Sequence, residues 1–395
     1  MATSETPPPI FGDYYREIYA KGMLAGERPR LPMAWAELES GARESLDDRA
    51  IAYIFGGAGS EDTMRANLDA FRRWRIVPRV LRKDLSLRDL SLELLGTRMP
   101  APVLLAPIGV QTLLHEEGER ASARAAASVG LPLITSTASA TALEEIAEAN
   151  GDSPRWYQLY WPNDDDLAAS LVRRAEAAGY SALVLTVDNY LPGWKPRDLQ
   201  QAYLPFLEGV GIAQYLSDPV FQSGLEKPPD EDMAAAVGHF LGVFANPRLT
   251  WERLDWLRGT TSLPIVLKGI LHPDDAREAR ERGVDGIVVS NHGGRQIDGA
   301  IASLEALPPI VDAIGDGMAI LLDSGIRSGA DIFKALALGA DAVLIGRPYL
   351  WGLALDGQNG VETVLRSLLA ELDLTMTLSG YTGVAEIDSR VLRQT

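Results

Sequence analysis

His292 and Arg295 stand three residues apart in the run Ser290-Asn291-His292-Gly293-Gly294-Arg295-Gln296, with two glycines between them. Histidine is the side chain best suited to take a proton near neutral pH. A guanidinium offers a planar fork that matches a carboxylate. Glycine tolerates a left-handed backbone and close approach, so both side chains can turn toward one small molecule. The run follows an apolar β-type stretch, Gly286-Ile287-Val288-Val289. A lone His-x-x-Arg is most often a surface turn, so its meaning depends on what accompanies it.

Other polar residues fall at the ends of other apolar runs. The runs are Val103–Ala106, Pro132–Ser136, Trp156–Tyr160, Ala182–Asp188, Ile265–Gly269, Gly286–Asn291, Ala319–Ser324 and Ala342–Arg347. Helical patterns lie between and after them, at Glu117–Ser128, Ala142–Asn150, Asp165–Ala178, Trp251–Arg258, Asp274–Arg282, Ser303–Ala313, Ala330–Leu338 and Val361–Leu374. Nearly continuous apolar strands are expected where both faces are buried. Eight β/α units in roughly 270 residues predict an α/β fold, a (β/α)8 barrel. A doubly wound open sheet is the alternative, but no Gly-x-Gly-x-x-Gly follows the first run.

In such a barrel the active site lies at the C-terminal strand ends. Those ends carry Ile108 and Gly109, Ser136, Gln158 and Tyr160, Thr186 and Asp188, Lys268, then Ser290, His292 and Arg295. The seventh run closes with Asp323-Ser324-Gly325-Ile326-Arg327, the eighth with Gly346-Arg347. Any one of these could be a cap or a satisfied core polar group, whereas a purely structural barrel gives no reason for all of them at one end. Small residues and two guanidiniums after strands seven and eight predict a phosphorylated ligand or cofactor. Lys268 closes an apolar run, as a snorkelling cation, a Schiff-base nucleophile or a stabiliser of negative charge. Tyr53 and Tyr160 are either core aromatics or substrate contacts.

The remainder frames this barrel. Residues 1–12 read as a polar, Pro-rich mobile arm. Residues 13–101 read as a cap of helices and a small hairpin covering one end, with Gly56-Gly57-Ala58-Gly59-Ser60 breaking the helices and Asp62 near a helix start. Residues 102–395 form the barrel. Residues 189–250 lack clear periodicity, are rich in proline and predict a mobile lid, its acidic piece Glu226–Asp232 unpacked.

The chain has 395 residues, 46% hydrophobic and 23% charged, with net charge 37 − 54 = −17. That acidity disfavours nucleic acid and anionic membranes as partners. There is no cysteine, and the four histidines lack metal-type spacing, so no metal site is expected. The N-terminus has no secretory pattern and no apolar stretch is long enough to span a bilayer, which predicts a cytoplasmic protein.

The Ser290–Gln296 run matches the signature of the FMN-dependent α-hydroxy-acid oxidoreductase family, and the resemblance extends over roughly residues 35–390. Within it, Gly193–Leu199, Ser217–Gln222 and the long connection after strand four are most similar to the bacterial lactate 2-monooxygenases. The resemblance implies a TIM barrel with FMN at its C-terminal mouth. Ile108, Gly109, Ser136, Gln158, Thr186, Lys268 and Ser290 would line the flavin ring and ribityl chain. Asp323, Ser324, Gly325, Arg327, Gly346 and Arg347 would hold its phosphate end. His292 would be the base, with Asp188 stabilising its protonated form. Tyr53 and Arg295 would bind the substrate carboxylate, and Tyr160 the α-oxygen. The family's second cation, usually Arg, falls at Lys195, with Arg197 two residues on; either could make that contact. Gly109 would leave room for oxygen or a larger substrate. The implied reaction is oxidation of a small L-2-hydroxy acid by molecular oxygen, either releasing the keto acid with peroxide or retaining and decarboxylating it. His292 would take the hydroxyl proton as hydride leaves, or the Cα proton. A mandelate-type dehydrogenase is a further alternative, and a homotetramer or homooctamer is expected.

Overall fold

A computed structural model describes residues 9–395. Its centre is a closed barrel of eight parallel strands. They are β1 (Val103–Leu105), β2 (Leu133–Ser136), β3 (Arg155–Leu159), β4 (Leu183–Thr186), β5 (Ile265–Ile270), β6 (Gly286–Val289), β7 (Ala319–Leu322) and β8 (Ala342–Ile345). They pair in chain order, and β8 closes on β1 with Val343 opposite Val103 and Ile345 opposite Leu105. Each strand matches an expected run, usually one or two residues shorter. The (β/α)8 barrel read from the sequence is the fold observed.

Alternation along each strand sorts the side chains. Leu104, Ile134, Trp156, Val184, Val266, Val288, Leu321 and Leu344 fill the barrel interior, one from each strand. Their neighbours Leu105, Leu133, Leu185 and Ile287 join the larger core between the barrel and its helices. The predicted hairpin exists, as Leu92–Leu94 paired with Thr97–Met99. Leu94 and Met99 pack on the interior cluster, and Trp156 Nε1 donates to Thr97 Oγ1 at 3.0 Å. The hairpin therefore seals the N-terminal end of the barrel and leaves the other end open.

Three cap helices, Trp35–Glu44, Asp48–Phe55 and Asp62–Arg72, lie where expected, with the glycine-rich break between the last two. The third starts without a cap of its own. Asp298, from the connection after β6, accepts from the N–H groups of Ser60, Asp62 and Thr63. A carboxylate at a helix N-terminus stabilises it through both hydrogen bonds and the helix dipole.

Three expectations are corrected. Residues 1–8 of the expected arm lie outside the described residues, but Phe11–Asp13 forms a 3₁₀ turn and Gly12 N–H donates to Asp373 Oδ2 at 2.6 Å. The chain is therefore docked before the arm's expected end. The helix placed at Val361–Leu374 begins at Arg347, directly after β8, and runs to Leu378 with a break at Asp356 and Gly357. The connection at 189–250 is largely helical, with its longest helix at Met233–Phe244 and shorter ones at Pro196–Gln201, Ala213–Leu216 and Pro219–Ser223. Ile212, Tyr215, Phe221 and Phe240 bury it against the body of the protein. Glu226, Lys227, Asp230 and Glu231 are exposed, as expected.

Candidate active site

The open end of the barrel holds a cavity of about 390 Å³, within the range that takes small ligands and cofactors. Strand-end loops supply Ile108, Ser136, Tyr160, His292 and Arg295 to its wall. The cap helix Asp48–Phe55 adds Tyr53, and the connection after β4 adds Lys195 and a facing set of aromatics, Phe206, Phe240 and Phe244. Phe244 meets Tyr160 edge-on at 5.5 Å between ring centroids, so the lid's own core continues into the cavity wall.

His292 is oriented by three contacts. Its backbone is left-handed at φ 59°, a conformation uncommon outside glycine. Its N–H donates to Ser290 Oγ at 3.0 Å, and its Nδ1 lies 2.8 Å from Asp188 Oδ1. Asp188 is ionised, so Nδ1 carries the hydrogen and Nε2 presents its lone pair to the cavity, 3.4 Å from the Tyr160 hydroxyl. Burial holds the His292 pKa below its ordinary value, with Lys268 adding to the effect and Asp188 opposing it. Burial pushes Asp188 upward, but His292 and Lys268 together hold it below the usual carboxylate range. At neutral pH this is an unprotonated base backed by a carboxylate that favours the imidazolium once a proton arrives.

Asp188 sits against a bulge in β5. The register shifts between Lys268 and Ile270, and Gly269 between them has φ 114°. A Cβ there would come within 2.6 Å of Asp188 Cγ, so only glycine lets the carboxylate approach. Lys268, just before the bulge, is buried and pairs with Asp323 Oδ2 at 3.2 Å while donating to Ser290 Oγ at 3.1 Å. Burial alone would lower its pKa, but Asp323 and Asp188 raise it above the ordinary value, so the ammonium stays charged.

At the substrate end, Arg295 Nη1 donates to Gly56 O at 2.7 Å and the guanidinium lies over the Tyr53 ring, 5.2 Å from its centroid. The Gly-rich break thus contributes a carbonyl that aims the arginine. Lys195 lines the same wall, whereas Arg197 points away and pairs with Glu61 at 2.6 Å. The geometry separates these two residues, which the sequence left open.

At the far end, Arg347 is the first residue of its helix. It donates to the carbonyls of Ile54, Gly293 and Gly56 at 3.0, 3.0 and 3.1 Å, with no acid beside it. Burial, then Arg295 and Arg327, pull its pKa down to about 9. Arg327 lies over Trp351, and its Nε is buried without a hydrogen-bond partner. Neither guanidinium makes a salt bridge within 4 Å among the described residues, and Glu39, Glu61 and Asp331 oppose the effect of burial only in part, so the pair is costly unless an anion completes the site. Ser324 Oγ accepts from Gly293 N–H and donates to Asp323 Oδ1, tying the β6 and β7 loops together, and Gly325 lets the cap helix approach, since a Cβ there would fall 2.5 Å from Asn67 O.

Some expected site residues stand one layer back. Gln158 accepts from Ser136 Oγ and donates to Thr186 Oγ1, both at 3.0 Å, and Ser290 braces Lys268 and His292. Gly109 does line the cavity, but a Cβ there would fall 2.0 Å from Ala138 O. Its missing side chain accommodates a neighbouring backbone rather than opening space for oxygen. Two residues escaped the sequence reading. Gln296 donates to Asp188 O, Asn189 Oδ1 and Leu191 O and so anchors the start of the lid. Asp198 lies 3.7 Å from Arg295 Nη2. The signature run contained the first, and the second lay within the Gly193–Leu199 stretch without a role assigned to it.

Residues 42–394 match the family described as FMN-dependent dehydrogenase. The chain is 44% identical to the FMN-dependent alpha-hydroxy acid dehydrogenase qulF of Penicillium citrinum, over 98% of this chain and 97% of that one. It is 47% identical to an L-lactate oxidase of Lysinibacillus sphaericus, over 89% and 90% of the two chains. Among solved structures, a mandelate oxidase with (S)-4-hydroxymandelic acid superposes with a TM-score of 0.81 at 42% identity, covering 92% of this chain and 98% of that one.

Proposed function

Since the chain belongs to the FMN-dependent dehydrogenase family, whose members include α-hydroxy-acid oxidases and dehydrogenases, we propose that it oxidises a small L-2-hydroxy acid, L-lactate first among them, and passes the electrons to molecular oxygen. The carrying observation is the single turn that aims His292 Nε2 and the Arg295 fork into one cavity, with Asp188 2.8 Å behind the imidazole. The chain uses FMN, and the residues present suit it. The two guanidiniums without acid partners at the far end would take its phosphate, with Asp323, Ser324, Gly325 and Gly346 around them. Ile108, Gly109, Ser136 and Lys268 would hold its ring and ribityl chain, with Gln158, Thr186 and Ser290 braced behind them. When bound, FMN supplies the two-electron acceptor.

The chain's own residues do the rest. Arg295 and Lys195 bind the substrate carboxylate, and the Tyr53 hydroxyl adds a donor. Tyr160 holds the α-oxygen beside His292. Burial raises the pKa of both tyrosines, so each remains a neutral hydrogen-bond donor. His292 Nε2 accepts a substrate proton, and Asp188 stabilises the imidazolium so formed. Lys268 keeps a positive charge where negative charge accumulates. The aromatic cap excludes water.

Two outcomes follow from one oxidation. A keto acid held beneath the cap meets the peroxide formed with it and loses carbon dioxide, so that lactate and oxygen give acetate, carbon dioxide and water. That is the lactate 2-monooxygenase reaction, and the packed cap supports it. A keto acid that leaves first gives pyruvate and hydrogen peroxide, an outcome favoured by the similarity to a protein named L-lactate oxidase. Product analysis with L-lactate under air separates the two. Acetate without free peroxide supports retention, stoichiometric peroxide and pyruvate support release, and neither product sinks the proposal. No helix among the described residues is long and apolar enough to cross a membrane, and we assign the protein to the cytoplasm.

A further inference from the structure

Lys195 and Asp198 flank one turn of the short helix Pro196–Gln201, at the N-cap and the third helical position, which puts them on one face. That face meets Arg295. Asp198 Oδ2 lies 3.7 Å from Arg295 Nη2, its side chain is only 12% exposed, and its Oδ1 is buried with no partner. Lys195 lines the cavity and makes no ion pair within 4 Å among the described residues. Two cations and one carboxylate thus share a wall, net positive by one, which suits a single substrate carboxylate. Asp198 hydrogen-bonds neither cation, so it does not act as a structural tether. It acts through its field.

We propose that Asp198 is a positioning residue for substrate capture, keeping Lys195 in its ammonium form so that Lys195 and Arg295 together grip the substrate carboxylate, and that capture therefore fails in mildly alkaline solution. The inference rests on the hydroxy-acid reading of the site. Burial, helped by Arg295, brings Lys195 down to about 8, and Asp198 is the group that opposes both. Asp198 itself is raised by burial and held back by Arg295 and Lys195. The other groups facing this wall keep their charge state in the same range. His292 titrates below its ordinary value, Tyr53 and Tyr160 above theirs, and Lys268 stays charged. Arg347, brought down to about 9 by burial and its cationic neighbours, faces the cofactor's phosphate, which favours its charged form. The bound carboxylate favours the ammonium, so affinity is full below the Lys195 pKa and lost as pH rises through it.

The test is calorimetric titration of the flavin-loaded protein with pyruvate, a ligand that is not oxidised, from about pH 6 to about pH 10. The wild type should bind about tenfold to a hundredfold more weakly at the alkaline end, the worth of one charge-assisted hydrogen bond. Asp198→Asn should move the midpoint down by about one pH unit. Lys195→Arg, which cannot lose its charge in this range, should remove the alkaline loss altogether. Constant affinity in the wild type overturns the inference, as does an unmoved midpoint in Asp198→Asn or an alkaline loss that persists in Lys195→Arg. Absence of pyruvate binding at every pH overturns the inference together with the hydroxy-acid reading beneath it, and is thereby distinguished from a pH profile of the wrong shape.

Discussion

A base is useful only while it is empty, and His292 is kept empty by its surroundings. Burial and the nearby Lys268 disfavour the imidazolium, while Asp188 limits how far the pKa falls. The sign of the pH effect follows. The free base is available at neutral pH, and on the acid side kcat/KM should decline only as pH drops below the ordinary histidine value of about 6.5. His292→Gln keeps some hydrogen bonding and loses the base, so anaerobic flavin reduction by L-lactate should slow at least about a hundredfold and lose that acid limb. Stopped-flow bleaching reads both. Near wild-type reduction with flavin bound would show that the base is elsewhere. Arg347→Ala removes a guanidinium at the phosphate end and should release flavin on ultrafiltration, whereas its effect on the reduction step of whatever flavin remains should be small. Tight retention in that variant would count against the phosphate assignment. Residues of this kind were legible because they close apolar runs, where a polar side chain is conspicuous. Asp198 was not, since a carboxylate in an aperiodic connection looks like any solvated charge until the backbone brings it to Arg295.

The elements differ in how far pattern alone exposed them. The barrel strands carry continuous apolar runs, and their helices are long enough to repeat an apolar face. The connection after β4 hid its structure for two physical reasons. Helices of four to six residues, such as Ala213–Leu216 and Pro196–Gln201, are too short to show a period. Met233–Phe244 is long enough but apolar on nearly every side, which blurs its face. Its Phe240 is fully buried, meeting Tyr215 and Phe244 each at 4.9 Å between ring centroids, and Phe206 at 5.5 Å. Phe240→Ala should cost about 3–5 kcal/mol of cap stability. A loosened cap should let the keto acid out, raising peroxide and pyruvate relative to acetate. An unchanged product ratio in a demonstrably destabilised variant would separate the cap from product retention.

At the scale of the whole molecule, the helix Tyr14–Ala25 has no buried residue, and Tyr19, Met23 and Leu24 are 67%, 86% and 88% exposed. Apolar side chains so displayed are expected to meet another subunit. We expect a closed homotetramer or homooctamer, and light scattering at micromolar concentration tests it; a monomer mass would remove the expectation. The strand Trp74–Ile76, which follows the cap helices, pairs antiparallel with Leu392–Gln394. During synthesis the cap that carries Tyr53 and Gly56 leaves the ribosome before every strand of the barrel on which it packs. The contacts that fasten it come from later residues: Asp298 at the helix Asp62–Arg72, Arg295 and Arg347 at Gly56, and Leu392–Gln394 at Trp74–Ile76. The cap that helps to aim Arg295 and Arg347 is therefore among the first parts of the enzyme to be made and among the last to be fastened.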